Sequence, residues 1–325
     1  MRKSLAVLML MVALTGLLVV GCKKDDGNGP GDQAPAGIST EEQAMKYYAS
    51  IDEFVLNDEK TIADQDVETM DYGTFGKIDA TITPIRWGRI VTNVTKNIST
   101  SVQPGDTLTI TTVEKTVTGN LKIKGTTAGG DTVTITKPFS DKSTRKMIFK
   151  RVDRDQRRFW MNWMPVASSL VEGGTLPPND RIKIAGVVML RANGDTLVSV
   201  KDPASYYMRY RWLRLFQGGK SDTPELIPGE SVKLRATVVS ASPDTDVVVL
   251  RHGFDAFHRR RAHLTMVSER TNGSTFTREY EISWPVHFHR GFFHAGIDAM
   301  TKATLFDDNP DSYSVSWWGV PYRVF

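Results

Sequence analysis

The chain is nearly without cysteine: it has one, Cys22, in 325 residues. A single thiol excludes an intramolecular disulfide and any CxxC zinc or redox site. An excess of one charge is also missing. Lys and Arg number 41 against 37 Asp and Glu, a net of +4. No strong field favours nucleic acid over other partners, and none is expected as a partner. Catalytic signatures are absent or broken. There is no GxSxG elbow, GxGxxG or HExxH. Gly219-Lys220-Ser221 ends like a phosphate-binding loop, but Arg214 stands where the first glycine must be. Ser143-Thr144-Arg145-Lys146 fits SxxK without the companion SDN and KTG motifs. Asp307-Asp308 runs into Asn309-Pro310, where turn chemistry accounts for it. No cofactor is implied. What remains, 40% hydrophobic and 24% charged residues with 26 Gly and 15 Pro, is ordinary globular composition. It excludes wholesale disorder and a collagen-like repeat.

The position of the lone cysteine is informative. Arg2 and Lys3 precede an apolar run from Leu5 to Val20, broken only by Thr15 and Gly16. These are the basic and apolar regions of a secretory signal peptide, and the run is short for a transmembrane helix. It ends in Val19-Val20-Gly21-Cys22. That sequence resembles the lipobox of bacterial lipoproteins. The resemblance implies cleavage before Cys22, a diacylglycerol on its thiol, and usually an acyl chain on the new amino terminus. Several acyl chains meet the requirement for stable anchoring. The family keeps proteins with Asp after the cysteine at the inner membrane; here Lys23 follows, which favours the outer membrane. The expected partner is therefore the membrane, through Cys22. Residues 22–38, rich in Gly, Pro, Asp and Asn, read as a flexible tether.

Ser39-Thr40-Glu41-Glu42 has capping-box spacing, with Ser39 as N-cap. Ala44, Tyr47, Tyr48, Ile51, Phe54 and Val55 then recur at helical spacing, which predicts a helix over 40–57. A second helix is expected over 58–70. From about Ile82 short β-branched runs alternate with turn signals, as in an antiparallel meander. The runs are Ile90–Thr95, Thr107–Val113, Leu121–Ile123, Thr132–Thr136, Met147–Val152 and Phe159–Val166, with Thr118-Gly119-Asn120 taken as a break. The order is α+β. It resembles the cone of the nuclear-transport-factor-two-like family, similar in shape to cystatin, over residues 39–168. A β-sandwich with a helical lead-in is the rival.

Residues 169–180, with Gly173-Gly174 and Pro177-Pro178, read as a linker. Beyond it, over 181–325, short strands with regular turns suggest a β-sandwich. Examples are Ile182–Leu190, Val232–Val238, Val247–Leu250, Phe276–Ile282 and Phe293–Ala299. The Pro228-Gly229-Glu230-Ser231-Val232 entry resembles bacterial Ig-like modules. The fold class expected is thus mainly β with an N-terminal helical segment: an α+β cone followed by an Ig-like sandwich.

All six histidines lie between His252 and His294. His287 and His289 form an HxH pair, which on a strand faces one way. With His294 they are candidate metal ligands, and ordinary surface or semi-buried histidines are the plainer reading. Lys142, Arg145, Lys146, Lys150, Arg151, Arg154, Arg157 and Arg158 form a basic stretch followed by Phe159, Trp160 and Trp163. It suits a glycan or anionic lipid, or a solvated strand face. The function expected is a lipid-anchored cell-envelope protein that binds an envelope protein or glycan without catalysis. A small-ligand-binding cone is the alternative, and a metal-dependent enzyme using the His252–His294 cluster a weaker one.

Overall fold

The computed structural model describes residues 35–52, 55–56, 58, 62–64, 68–69, 82–153, 159–209, 223–252 and 260–325. Ser39–Phe325 forms one compact unit, and it is mostly β. Helix α1 (Glu41–Ile51) comes first. The strands follow as β1 (Glu68–Thr69), β2 (Ile82–Thr100), β3 (Leu108–Thr127), β4 (Thr132–Arg151), β5 (Trp163–Ser169), β6 (Val171–Thr175), β7 (Ile182–Arg191), β8 (Thr196–Val200) and β9 (Tyr207–Arg209). Then come β10 (Glu225–Leu226), β11 (Ser231–Ser240), β12 (Val247–His252), β13 (Arg260–His263), β14 (Thr265–Asn272), β15 (Thr275–Pro285) and β16 (Gly291–Met300). A short helix α2 (Lys302–Phe306) leads to β17 (Val315–Val324).

The first helix starts one residue later than expected. Thr40 is the N-cap, its hydroxyl accepting from the Gln43 amide at 3.1 Å, and the Gln43 side chain accepts from the Ser39 amide at 2.7 Å. The helix buries Ala44, Met45 and Ala49. Met45 and Ala49 pack with Val113, Met147, Phe149 and Trp163. Of the second expected helix, the described residues include Glu68–Thr69, which are strand; much of 58–70 lies outside the described residues.

The six expected short runs are mostly three long strands. β2, β3 and β4 are 19, 20 and 20 residues long. Gly119 does not break β3. A Cβ there would lie 2.2 Å from the Ile90 carbonyl oxygen and 2.9 Å from the Phe139 ring. The glycine permits close approach, and it was its company of Thr and Asn that imitated a turn.

Twelve strands form one sheet, with the path β1-β2-β3-β4-β6-β17-β16-β12-β13. The far end of β4 pairs with β5 and its middle with β6, so the sheet forks there. The expected linker is therefore structure. β6 pairs with β4 on one side and β17 on the other, and the sheet runs unbroken across the boundary expected at 169–180. Gly173 lies under the Trp317 indole, where a Cβ would come within 2.4 Å of the ring.

A second sheet, β14-β15-β11-β7-β8, covers one face of β12, β16 and β17. Ile184, Val187, Leu234, Ala236 and Tyr280 meet Leu250, Ile297, Trp318, Val320 and Tyr322 in that core. The opposite face of the same three strands, with Val247, Val249, Met300, Val315 and Trp317, meets Trp87, Val117, Leu121 and Phe139 in another core. The three strands are thus a shared wall, buried on both sides.

The close approach at Gly173 gives a stability test. Gly173→Ala should lower the urea midpoint by the equivalent of about 1–3 kcal/mol. Gly129→Ala, whose Cβ would meet only the Thr127 hydroxyl and Asp131 carboxylate at 3.7 and 3.9 Å, should stay within about 0.5 kcal/mol. Equal midpoints for the two variants would refute the packing argument.

Candidate functional site

Strand alternation sorts the charged residues of β2–β4 into two populations. Those facing the inside of the curled sheet are enclosed and paired. Arg89 on β2 is fully buried, and its guanidinium pairs with Asp298 on β16. Its backbone amide donates to the Asp64 carboxylate at 2.7 Å, and its carbonyl accepts from the Asp64 amide at 2.8 Å. Asp64 also takes Arg251 of β12, at 2.7 Å, and Arg261 of β13. Arg261 stacks over the Trp87 ring at 3.8 Å and donates to the Trp87 carbonyl at 2.7 Å. Burial alone would raise the Asp64 carboxyl, but Arg251 and Arg261 outweigh it and hold it below the usual range. Further along, Arg145 on β4 clamps Asp58 and donates to Ser168 and Ser169. The Lys137 amine donates to the Ala303 carbonyl and the Ser312 hydroxyl at 2.9 and 2.7 Å. Burial lowers it to about 8 against the pull of Asp307 and Asp308.

At the end of β4 lies a cavity of about 550 Å³, lined by Ser39, Thr40, Glu41, Pro104, Gly105, Arg151, Phe159 and Asn162. The N-terminus of α1 places Glu41 here. Arg151 donates to both carboxylate oxygens at 2.9 and 2.8 Å; Asn162 and the Trp163 indole add donors at 2.8 and 2.7 Å. Burial would raise the Glu41 carboxyl, but those donors together hold it below the usual range. The Arg151 guanidinium lies 4.5 Å over the Trp163 ring, and its Nε donates to the Asp106 carbonyl at 3.0 Å. The charges cancel, and the cavity offers fixed polar edges beside aromatic rings. A second groove of about 350 Å³ lies along β4, β6 and β17, with Lys142, Glu172, Lys183 and Trp318 in its wall.

Two of the three candidate histidines are neighbours, the His287 and His289 rings lying 6.2 Å apart, but His294 is not brought to them. His287 and His289 lie in the loop between β15 and β16 rather than on a strand. The His287 Nε2 is 3.1 Å from the Tyr322 hydroxyl, and its ring meets Phe293 edge-on at 4.2 Å. Phe293 and His294 are consecutive on β16 and so face opposite ways; His294 sits instead beside Phe292. Among the described residues no group of three or more His, Cys, Asp or Glu is placed to hold a metal ion. The SxxK match fails for a related reason. On β4 Ser143 is buried inside and Lys146 faces outward. Cys22 and Gly219-Lys220-Ser221 lie outside the described residues, as do Arg154, Arg157 and Arg158. Sequence reasoning missed Glu41 as a clamp; its pairing with Arg151, 110 positions away, has no local signal. No protein-family model matches the chain, and no curated protein resembles it in sequence.

Asp141 stands apart in the buried network. Its carboxylate lies 3.8 Å from Arg89 and accepts from the Tyr313 hydroxyl at 2.9 Å. Burial pushes it up to about 7, from an ordinary 3.8, against the pull of Arg89 and Tyr313. Between about pH 4 and 7 the folded chain keeps a proton that the unfolded chain has released. Stability therefore falls as pH rises through that window. Asp246, raised to about 6 chiefly by burial, acts with the same sign. Asp64 acts with the opposite sign, its stabilisation being lost as pH falls. Asp141→Asn should flatten the pH 5–7 slope by up to about 1.4 kcal/mol per pH unit. Urea titrations of both chains at pH 5, 6 and 7 check this, and parallel slopes would overturn it.

Proposed function

We propose that the chain is a lipid-anchored protein of the bacterial cell envelope, held at the outer membrane, that binds a partner without catalysing a reaction. The observation that carries this is Val19-Val20-Gly21-Cys22 after a basic start and a short apolar run. It supplies a thiol, the only one in the chain, directly behind a small residue at the cleavage point. Lys23 favours the outer membrane. An envelope protein or glycan is the partner proposed. The fold reading that accompanies it is a nuclear-transport-factor-two-like cone followed by an Ig-like sandwich; α1 against long curled strands, and a five-stranded sheet over β12, β16 and β17, are the features in its favour.

The lipid is testable directly. In cells fed labelled palmitate, the chain should take up label and enter the detergent phase of a Triton X-114 separation. Cys22→Ala should take up none. Label on the Cys22→Ala chain, or an unlabelled native chain, would remove the proposal.

A second reading rests on the cavity at Glu41, Arg151 and Asn162. Its neutral, hydrogen-bonding wall beside Phe159 and Trp163 suits an uncharged polar molecule such as a sugar. Titration with neutral mono- and oligosaccharides should change tryptophan emission saturably, and a flat response across the set would exclude this reading.

A further inference from the structure

The basic stretch 142–158 divides by parity on β4. Arg145 and Arg151 point inward and are held by Asp58 and Glu41. Lys142, Lys146 and Lys150 point outward, spaced four residues apart, on the convex face. Lys142 pairs with Glu114 at 2.7 Å. Lys146 and Lys150 form no ion pair among the described residues.

The cross-strand register places apolar groups beside them. Leu108 lies opposite Lys150, and Ile110 opposite Ile148. Leu108 and Ile110 are 57% and 50% exposed, and Val152, just past the strand, is 49% exposed. The five-stranded sheet covers the equivalent face over β12, β16 and β17 but, among the described residues, does not extend over this part. An aliphatic ladder edged by outward lysines is the chemistry of a surface that meets a bilayer interface, apolar groups in the headgroup layer and cations on lipid phosphates.

Where the chain enters the compact unit adds a second reason. It enters at Ser39, and Glu41 is held by Arg151, the residue next to Lys150. Only the sixteen residues from Lys23 to Ile38 separate that point from Cys22 in sequence. A lipid on Cys22 would be nearer in sequence to this part of the unit than to any other.

We infer that the convex face formed by Leu108, Ile110, Lys146, Ile148, Lys150 and Val152 docks on an anionic phospholipid surface. The orientation argument rests on the lipid-anchor reading; the binding test does not. The chain from Lys23 to Phe325, without leader or thiol, would be sedimented with vesicles of phosphatidylcholine containing 30% phosphatidylglycerol, and with phosphatidylcholine alone. Binding is expected only to the anionic vesicles and should weaken with added salt. Lys146→Ser with Lys150→Ser should weaken it about twenty-five-fold, at roughly fivefold per lysine. Leu108→Ser with Ile110→Ser should also weaken it while leaving the thermal transition in place, since both side chains are exposed.

Absence of binding by the folded native chain, or equal binding by both vesicle types, would overturn the inference. So would self-association that the Leu108 and Ile110 substitutions abolish, because the face would then be a contact between copies. Loss of palmitate labelling with retained vesicle binding would instead sink the anchor reading and leave this one standing.

Discussion

The closure of the twelve-stranded sheet depends on one carboxylate. β2 and β13 lie near opposite ends of the sheet path, and among the described residues no backbone ladder joins them. Asp64 does so with its own atoms. It hydrogen-bonds the main chain of Arg89 on β2 in both directions and pairs with Arg251 and Arg261 on β12 and β13. Arg89 then reaches across the interior to Asp298 on β16. Buried ion pairs are weak evidence of stability, since apolar replacements are often as good. Removing one partner is different, because it leaves a buried charge uncompensated at a cost of about 3–5 kcal/mol. The network therefore acts as a register device. A slip of one residue in β2, β12 or β13 would turn that strand's arginine away from its carboxylate partner.

That closure explains the shared wall. Once β2–β4 have curled over one face of β12, β16 and β17, the other face still needs cover, and the second sheet provides it. Strands buried on both faces lose the alternation of half-buried ones. Val247-Val248-Val249-Leu250 and the run Val315–Val324 read that way, and all four of the former are fully buried. The two cores are physically inseparable, each resting on the other's wall.

This is why the strands were legible in the sequence and the boundary was not. Period-two runs such as Val232–Val238 and the pair Phe293/Ala295 report local burial, and the structure has them as strands. Gly173-Gly174 reports only a missing side chain. A turn and a strand pressed under an indole both require that, and no neighbour in sequence tells them apart. Gly119 misled in the same way. The helix cap was displaced by one residue because Ser39 and Thr40 can both cap, and it is the Gln43 side chain, not Glu42, that returns to Ser39. The site was less legible still. His287 and His289 do lie together, their rings 6.2 Å apart, yet one step of strand alternation turns His294 away from them. Glu41 and Arg151 looked unrelated.

Charge carried its information through parity. Read as a run, residues 142–158 are one basic patch. Read on β4, the part from Lys142 to Arg151 is two rows with opposite tasks. The inner row is enclosed, where an unmatched charge is costly, and each member faces an acid brought from elsewhere in the chain: Asp58 for Arg145, Glu41 for Arg151. The outer row is solvated, where an unmatched charge costs little, so Lys146 and Lys150 can stand without an ion pair among the described residues. Cations so placed beside exposed Leu108 and Ile110 are best matched by something outside the chain that meets both. The near-neutral sum of 41 basic and 37 acidic residues conceals this, because it does not distinguish pairs enclosed in the sheet from pairs on its surface.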